Sequence, residues 1–526
     1  GYTVDEEHAA RAVAEALARA AGCPGAEVLG AGVAGYGTDQ SYLRYLEHGH
    51  IRLVRESLRE RHILRTIAPA FIHPSSILLP VYRGNARSAW QINLGLWLYD
   101  LLALQRNIRP HRMLSARRAL ALEPHLLVDG LRAAGVYADC QMDDARVCLA
   151  NILQAVSFGA VCCNYLRLRA FLKSQQRLCG GVGEDLFTGL TIGIQARVVI
   201  NATGPWSDEL RHTSEETATP RLAPTKGIHL IVPHLTHEAL FVEARKDRRM
   251  FFILPWGDYS LIGTTDTPVA GALGTLSATA DEVGYLLEET NRIIPSRQLS
   301  AQDIIATYAG ARPLLSFSGT STRASREHRI EIDRWGLVSV MGGKYTTYRL
   351  IAQQVLDLIM RRHRWKADRC LTDQVSLLET IQPIVAERWR AVTRDLDPDL
   401  LARLIARYGA GAFHALALVE SDPALARPVC PHHELVLAEL VYAFQHELAC
   451  TITDVLARRT RIAFSPCQGL DSLSSLSALI EQYLPAPIPS LSYQVEEYHQ
   501  FLARSLAFRA HFASRNVSSA DKVHQA

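Results

Sequence analysis

Apolar and polar positions along the chain change their period twice. Residues 5 to 21, DEEHAARAVAEALARAA, are rich in Ala, Leu, Glu and Arg, start acidic and hold no breaker, so they predict a helix closed by Cys23-Pro24-Gly25. Between Gln40 and Leu64 the apolar residues Leu43, Leu46, Leu53, Leu58 and Ile63 recur at helical spacing, the strand-like SSILLPVYR follows, and Trp90 to Gln105 predicts another helix. From Val136 the signals alternate: GVYADCQ, DDARVCLANILQAV, CCNYLRLRAF, ARVVINATG. Such alternation favours an α/β layer with parallel strands.

Between Thr225 and Ile332 the pattern shortens to GIHLIVP, MFFILPW, YSLIGTTD, DIIATYAGARP and HRIEI, which predicts a second, mainly antiparallel sheet. A long helix follows GLVSVMGG near Thr346. From about Trp365 onward the chain reads as helical blocks, including ELVLAELVYAFQHEL and QVEEYHQFLARSLAF, and hence as a separate helical domain.

A chain of 526 residues is longer than one ordinary domain, and 48% hydrophobic with 21% charged residues suits a large buried core. Lys and Arg number 56 against 53 Asp and Glu, and the net charge of +3 excludes nucleic acid as the presumed partner. Ten cysteines without a CxxC pair show neither zinc spacing nor a disulfide framework, so no metal is expected and the thiols read as reduced and structural. The apolar runs fall short of a spanning helix and no signal-peptide pattern opens the chain, which predicts a soluble or peripheral protein.

Gly30-Ala31-Gly32-Val33-Ala34-Gly35 matches GxGxxG, in which Gly30, Gly32 and Gly35 would let a helix N-terminus receive a pyrophosphate. Only Val28-Leu29 resemble a preceding strand, so the stretch also reads as a Gly-rich linker. A more specific set is INATGPWSDEL, APTKGIHLIVP, FFILPWGDYSLIGTTDTP, GARPLL and SVMGGKYTTYRL, supported by RYLEHGHIRLVRESLRERHIL, DCQMDDARV and AELVYAFQHELACTITDVLARRTRIAF. In order and separation these resemble the FAD-dependent, quinone-linked glycerol-3-phosphate dehydrogenases, from about Gly37 to Phe508. The departure is at the front. Only eight residues separate Gly35 from Arg44, where that family has most of a βαβ unit. Either the glycine loop is a minimal substitute or FAD binding is impaired.

The resemblance implies an α/β plus α fold. A discontinuous, Rossmann-like FAD-binding domain would occupy 24–82, 140–212 and 335–363, after an N-terminal helix at 1–23. A mainly antiparallel substrate domain would occupy 83–139 and 213–334, and an all-helical domain 364–526. It implies FAD contacts at Ala202, Thr203 and Gly204 and at Gly342, Gly343, Thr346 and Thr347. Arg44, Tyr45, Arg326 and Lys344 would bind substrate, with His229 and Arg312 catalytic. Arginine suits a phosphate through its two parallel charge-assisted bonds, and an imidazole titrating near neutrality suits a general base. The implied reaction is oxidation of sn-glycerol 3-phosphate to dihydroxyacetone phosphate, with electrons passed to a membrane quinone. The implied location is cytoplasmic, peripheral on the cytoplasmic face of the inner membrane, and the assembly compatible with it is a homodimer. Two other readings stand beside it: a non-catalytic homologue that has lost FAD, and an oxidase that uses oxygen.

Overall fold

The computed structural model describes residues 51–269, 271–316, 327–366, 368–377, 398–483 and 489–512. The expected helix at 5–21, the Gly30–Gly35 turn, Arg44, Tyr45 and Arg326 lie outside these residues.

Helix α1 (Ile51–Ile67) has neither Gly nor Pro and buries Leu53, Val54, Leu58, Leu64 and Ile67, one apolar stripe of its 3.6-residue period. Strand β1 (Ile72–Tyr82) follows, then helix α2 (Ala89–Ala103), at whose start Gln91 Oε1 accepts from the Ser88 amide at 2.8 Å. Strand β2 (Arg112–Ser115), helix α3 (Ala116–Leu122), strand β3 (Leu131–Met142) and helix α4 (Asp144–Ser157) come next. Strands β4 (Leu166–Ser174), β5 (Arg177–Asp185) and β6 (Thr191–Gln195) form a separate antiparallel sheet. Strand β7 (Ile200–Asn201) then leads into helix α5 (Ser207–Ser214).

The large sheet is completed by β8 (Thr225–Pro233), β9 (Ala239–Glu243), β10 (Met250–Trp256), β11 (Tyr259–Gly263), β12 (Thr267–Pro268) and, after helix α6 (Ala280–Ile293), β13 (Ala306–Arg312). Its nine strands run β12-β8-β11-β10-β9-β1-β3-β2, with β13 also paired to β8. Strand β8 is therefore central: β11 and then β12 line one edge, and β13 the other. Strand β1, expected at the end of the first FAD-binding segment, pairs along its length with β3 and belongs to this sheet.

Side chains alternate across the sheet. On β8, Ile228, Leu230 and Val232 join the core under α6, with Val283, Leu286 and Leu287. Ile231 joins the core shared with the C-terminal unit, so His229 points to that same face.

A smaller layer contains β14 (His328–Ile332) and β15 (Val338–Gly342), with β15 parallel to β7 and followed by helix α7 (Tyr348–His363). This is the Rossmann-like part among the described residues. The parallel alternation expected after Val136 is not what most of that stretch forms: β3 to β6 pair antiparallel, because short turns join β4, β5 and β6 and leave no crossover.

The C-terminal unit is built of α8 (Pro398–Tyr408), α9 (Ala412–Ser421), α10 (Leu437–His446), α11 (Leu473–Tyr483) and α12 (Leu491–Ser505). One block read as helix throughout, ELVLAELVYAFQHEL, opens as a strand: β16 (Pro428–Cys430) and β17 (His433–Val436) form a hairpin, because the turn at Pro431-His432 folds one back on the other. Arg146 of α4 meets Glu447 at 2.7 Å, both buried, and so ties this unit to the rest. Among the described residues no helix is long and apolar enough to cross a membrane.

Candidate functional site

The middle of β8 carries the histidine singled out in the sequence. In register, His229 lies between Gly263 of β11 and Tyr308 of β13. The imidazole stacks on the Tyr308 ring with centroids 4.9 Å apart and planes at 21°. On its other side a methyl group at Gly263 would stand 2.3 Å from His229 Cδ2, so only glycine leaves room for the ring. His229 retains part of its accessible surface, yet crowding by protein, helped by the nearby Arg312 charge, lowers its pKa to about 3. The near-neutral titration expected from an ordinary imidazole is thus corrected. His229 is neutral throughout the working range and available as an acceptor.

Arg312 ends β13 on the same face, four residues beyond Tyr308. One of its terminal nitrogens donates to Thr264 Oγ1 at 2.8 Å and to the Thr265 carbonyl at 3.1 Å, and the other faces Asp266 Oδ1 at 3.3 Å. The guanidinium lies over Gly227, where a methyl group would stand 2.2 Å from it. Between Tyr308 and Arg312 sits Gly310, where an added methyl group would meet nothing within 4 Å among the described residues. An open floor therefore separates a neutral imidazole from a held cation.

The turn after β7 reaches this place. Asn201 Oδ1 accepts from Thr203 Oγ1 at 2.7 Å and from its amide at 3.3 Å, while Asn201 Nδ2 donates to the Ser207 carbonyl at 2.9 Å. This anchors the turn from both ends. Ala202 is exposed, Gly204 adopts φ +56 with no atom of the described residues within 4 Å of where a Cβ would stand, and the 204–206 turn packs against β13 and β15. At the end of β15, Gly342 and Gly343 have φ +72 and +94, a region that favours glycine. Lys344, Thr346 and Thr347, all buried, then lead into α7, with Thr347 Oγ1 donating to the Lys344 carbonyl at 3.2 Å. Lys344 Nζ donates to Ser57 Oγ of α1 at 3.2 Å. Arg349, one turn on, makes a two-pronged pair with the buried Glu60 at 2.7 Å in each prong.

The structure thus brings His229 and Arg312 to one face and packs the Gly204 turn against the strand that carries Arg312, with Gly342 and Gly343 at the end of the strand beside that turn. Thr264, Asp266, Tyr308, Gly227 and Gly263 were not singled out in the sequence. Thr264 and Asp266 lie in the quoted GTTDTP motif, but their role depends on the β8–β11 and β8–β13 registers.

A Rossmann-like layer whose glycine turns abut a polar, open-floored sheet defines a flavoprotein-like oxidoreductase scaffold. Residues 10–349 match the family described as FAD dependent oxidoreductase, and residues 370–485 match the C-terminal domain of alpha-glycerophosphate oxidase. The chain belongs to the FAD-dependent oxidoreductase family. It is 33% identical over 485 residues to a glycerol-3-phosphate dehydrogenase of Synechocystis sp., covering 88% of each chain. It is 30% identical to the aerobic glycerol-3-phosphate dehydrogenase of Bacillus subtilis, covering 80% of this chain and 78% of that one. The crystal structure of the glycerol-3-phosphate dehydrogenase from Bacillus halodurans complexed with FAD is similar at a TM-score of 0.70 and 26% identity, with 85% of each chain covered.

Proposed function

We propose that the chain oxidises sn-glycerol 3-phosphate to dihydroxyacetone phosphate with FAD, and that a membrane quinone takes the electrons. The observation that carries the reading is the open floor at Gly310 between neutral His229 and the anchored Arg312. The residues fit the flavin end of the cofactor: Gly204 offers open space beside the turn, and the N-terminus of α7 after Gly342-Gly343 would favour negative charge on the pyrimidine edge of the ring. Ala202, Thr203, Gly204, Gly342, Gly343, Thr346 and Thr347 would hold it. When bound, FAD supplies the two-electron acceptor for the hydride that leaves C2.

His229 accepts the hydroxyl proton as the C2 carbonyl forms. A substrate phosphate beside Arg312 counters the smaller cause of its lowered pKa, the Arg312 charge, while the larger one, burial, stays. Arg312, held by Thr264 and Asp266, orients the substrate oxygens, and Arg44, Tyr45, Arg326 and Lys344 complete the anion site by the family resemblance.

Support for a membrane acceptor comes from α2. Its inner side buries Ile92, Leu96 and Tyr99, while Trp90, Leu94, Trp97 and Leu101 stand 61 to 67% exposed on the other side. Exposed Arg106, Arg109, Arg112, Arg117 and Arg118 follow. Apolar residues flanked by arginines suit the interface of an anionic bilayer.

The test is anaerobic stopped-flow reduction of the bound flavin. His229→Asn should slow it by about 10² to 10⁴-fold while substrate binding changes less. Arg326→Ala should weaken glycerol 3-phosphate about 10- to 150-fold, the worth of one charge-assisted bond, and leave glycerol unchanged. Wild-type reduction by the His229 variant removes it as the base, and peroxide release without quinone would make oxygen the acceptor.

A further inference from the structure

We propose that Cys430, His433 and Cys467 form a binding site for one zinc-class divalent ion that ties the β16–β17 hairpin to the 464–468 segment packed against β13. Cys430 and His433 are three positions apart, but Cys467 lies 37 positions beyond Cys430, which is why spacing alone does not reveal the set. Cys430 and His433 are cross-strand partners in the β16–β17 hairpin, separated only by the Pro431-His432 turn. Direct partners across such a turn project to one face, the arrangement by which a short hairpin presents two metal ligands. Cys467 reaches the same point from the Ser465-Pro466-Cys467 segment. All three ligand atoms lie within 4.8 Å of one another.

The spacing is that of a coordination polyhedron. Zinc–sulfur and zinc–nitrogen bonds of about 2.3 and 2.05 Å at the tetrahedral angle put sulfur and nitrogen about 3.6 Å apart. Cys467 Sγ and His433 Nε2 are 3.6 Å apart. Two thiols with one imidazole select zinc or a similar borderline ion over magnesium or calcium, which prefer oxygen. Ser465 Oγ lies 2.9 Å from His433 Nε2 and 3.3 Å from Cys467 Sγ. Its hydroxyl donates to the Ile462 carbonyl at 2.7 Å, so toward these groups it acts as an acceptor. Cys430 is buried and the other two are half-buried, so the site is shielded yet reachable by an ion.

The position gives the ion a task. Gln468, next to Cys467, donates from Nε2 to the Ile305 carbonyl at 3.2 Å, one residue before β13, and its own carbonyl accepts from Tyr498. Phe464, three residues before Cys467, meets Tyr308 at 6.2 Å and Trp256 at 6.4 Å between ring centroids. An ion joining the hairpin to this segment would hold the ring that backs Tyr308, on which His229 stacks. The three residues position and do not touch substrate.

The experiment uses full-length protein purified anaerobically with a reductant and without chelator. Metal analysis should find about one zinc per chain. Exchange with cobalt(II) should give a thiolate-to-cobalt charge-transfer band. Cys430→Ser, His433→Asn and Cys467→Ser should each weaken cobalt binding at least about 100-fold, more than typical loss of an outer-shell partner, whereas Cys162→Ser should not. Should a ligand variant fail to fold, chelator-treated wild-type protein decides, by uptake of one cobalt with the same band. The proposal is overturned if folded wild-type protein neither contains nor takes up the ion, if the band persists in the three variants, or if peptide mapping finds Cys430 and Cys467 joined as a disulfide. None of these readouts depends on the identity of the substrate, so failure here leaves the proposed reaction untouched.

Discussion

Replacing Gly263 by alanine adds one methyl group where the structure has no room for it. That carbon would stand 2.3 Å from His229 Cδ2, 2.8 Å from Nε2 and 2.9 Å from Cγ. Ordinary carbon contacts are about 3.5 to 4.0 Å, so the imidazole must retreat by about 1.2 Å or more. It cannot retreat toward β13, because Tyr308 is stacked there at 4.9 Å and is itself backed by Phe464. The ring must therefore leave its position or the strands must part. Overpacking of this kind costs about 1 to 3 kcal/mol, which a protein of this size survives. A base displaced by about 1 Å loses on the order of 10²-fold in rate. Flavin reduction by glycerol 3-phosphate in anaerobic stopped flow, with flavin content and Tm measured on the same sample, checks this. The variant should keep its flavin and reduce it about 100-fold more slowly. Adding His229→Asn should then cost little more, since two changes to one interaction are not additive. Gly274→Ala, where the methyl group meets no atom of the described residues within 4 Å, serves as the control. A Gly263→Ala protein that reduces its flavin at the wild-type rate would refute the claim that His229 must sit between Gly263 and Tyr308.

Other expectations follow from the same geometry. His229 has its pKa lowered to about 3 in the folded protein against 6.5 for a free imidazole, so the unfolded chain takes the proton first. The stability it contributes is complete above pH 6.5 and is lost as the pH falls toward 3; His229→Gln should flatten that part of a urea-denaturation series. Glu60→Ala leaves Arg349 buried without its two-pronged partner and should destabilise the fold by about 3 to 5 kcal/mol, read from the urea midpoint. Changing Leu94, Trp97 and Leu101 of α2 to serine should weaken binding to anionic vesicles more than about 100-fold, at about 1.5 to 3 kcal/mol per buried side chain. Activity with a soluble dye acceptor should stay unchanged. Equal vesicle binding by that variant and the wild type would take the membrane contact away from α2.

Much of the secondary structure was legible locally, because a helix or strand with one buried side must repeat its apolar residues at its own period. The strands at GIHLIVP, MFFILPW and HRIEI and the helices at 89–103, 144–157 and 491–505 are of this kind. So were the INATGPW and GGKYTTYRL turns, since glycine and the residue that follows it are read from a few neighbours. Strand direction was not: CCNYLRLRAF carries the same apolar period whether its partner runs parallel or antiparallel, and the β4–β5 turn decides. The basicity of His229 was not legible either, since the lowering comes from crowding by β11 and β13 and from Arg312, 83 positions away in the chain. Nor was the Cys430, His433 and Cys467 cluster, whose third member is brought to the hairpin from 37 positions beyond its first. Sequence by itself determined most of the segments that would be strands or helices and the family whose motifs they carry, because those depend on near neighbours. The register of β8 between β11 and β13, and the packing of the C-terminal unit against them, decided which side chains meet, because contacts between distant positions are set only when the faces they share are buried together.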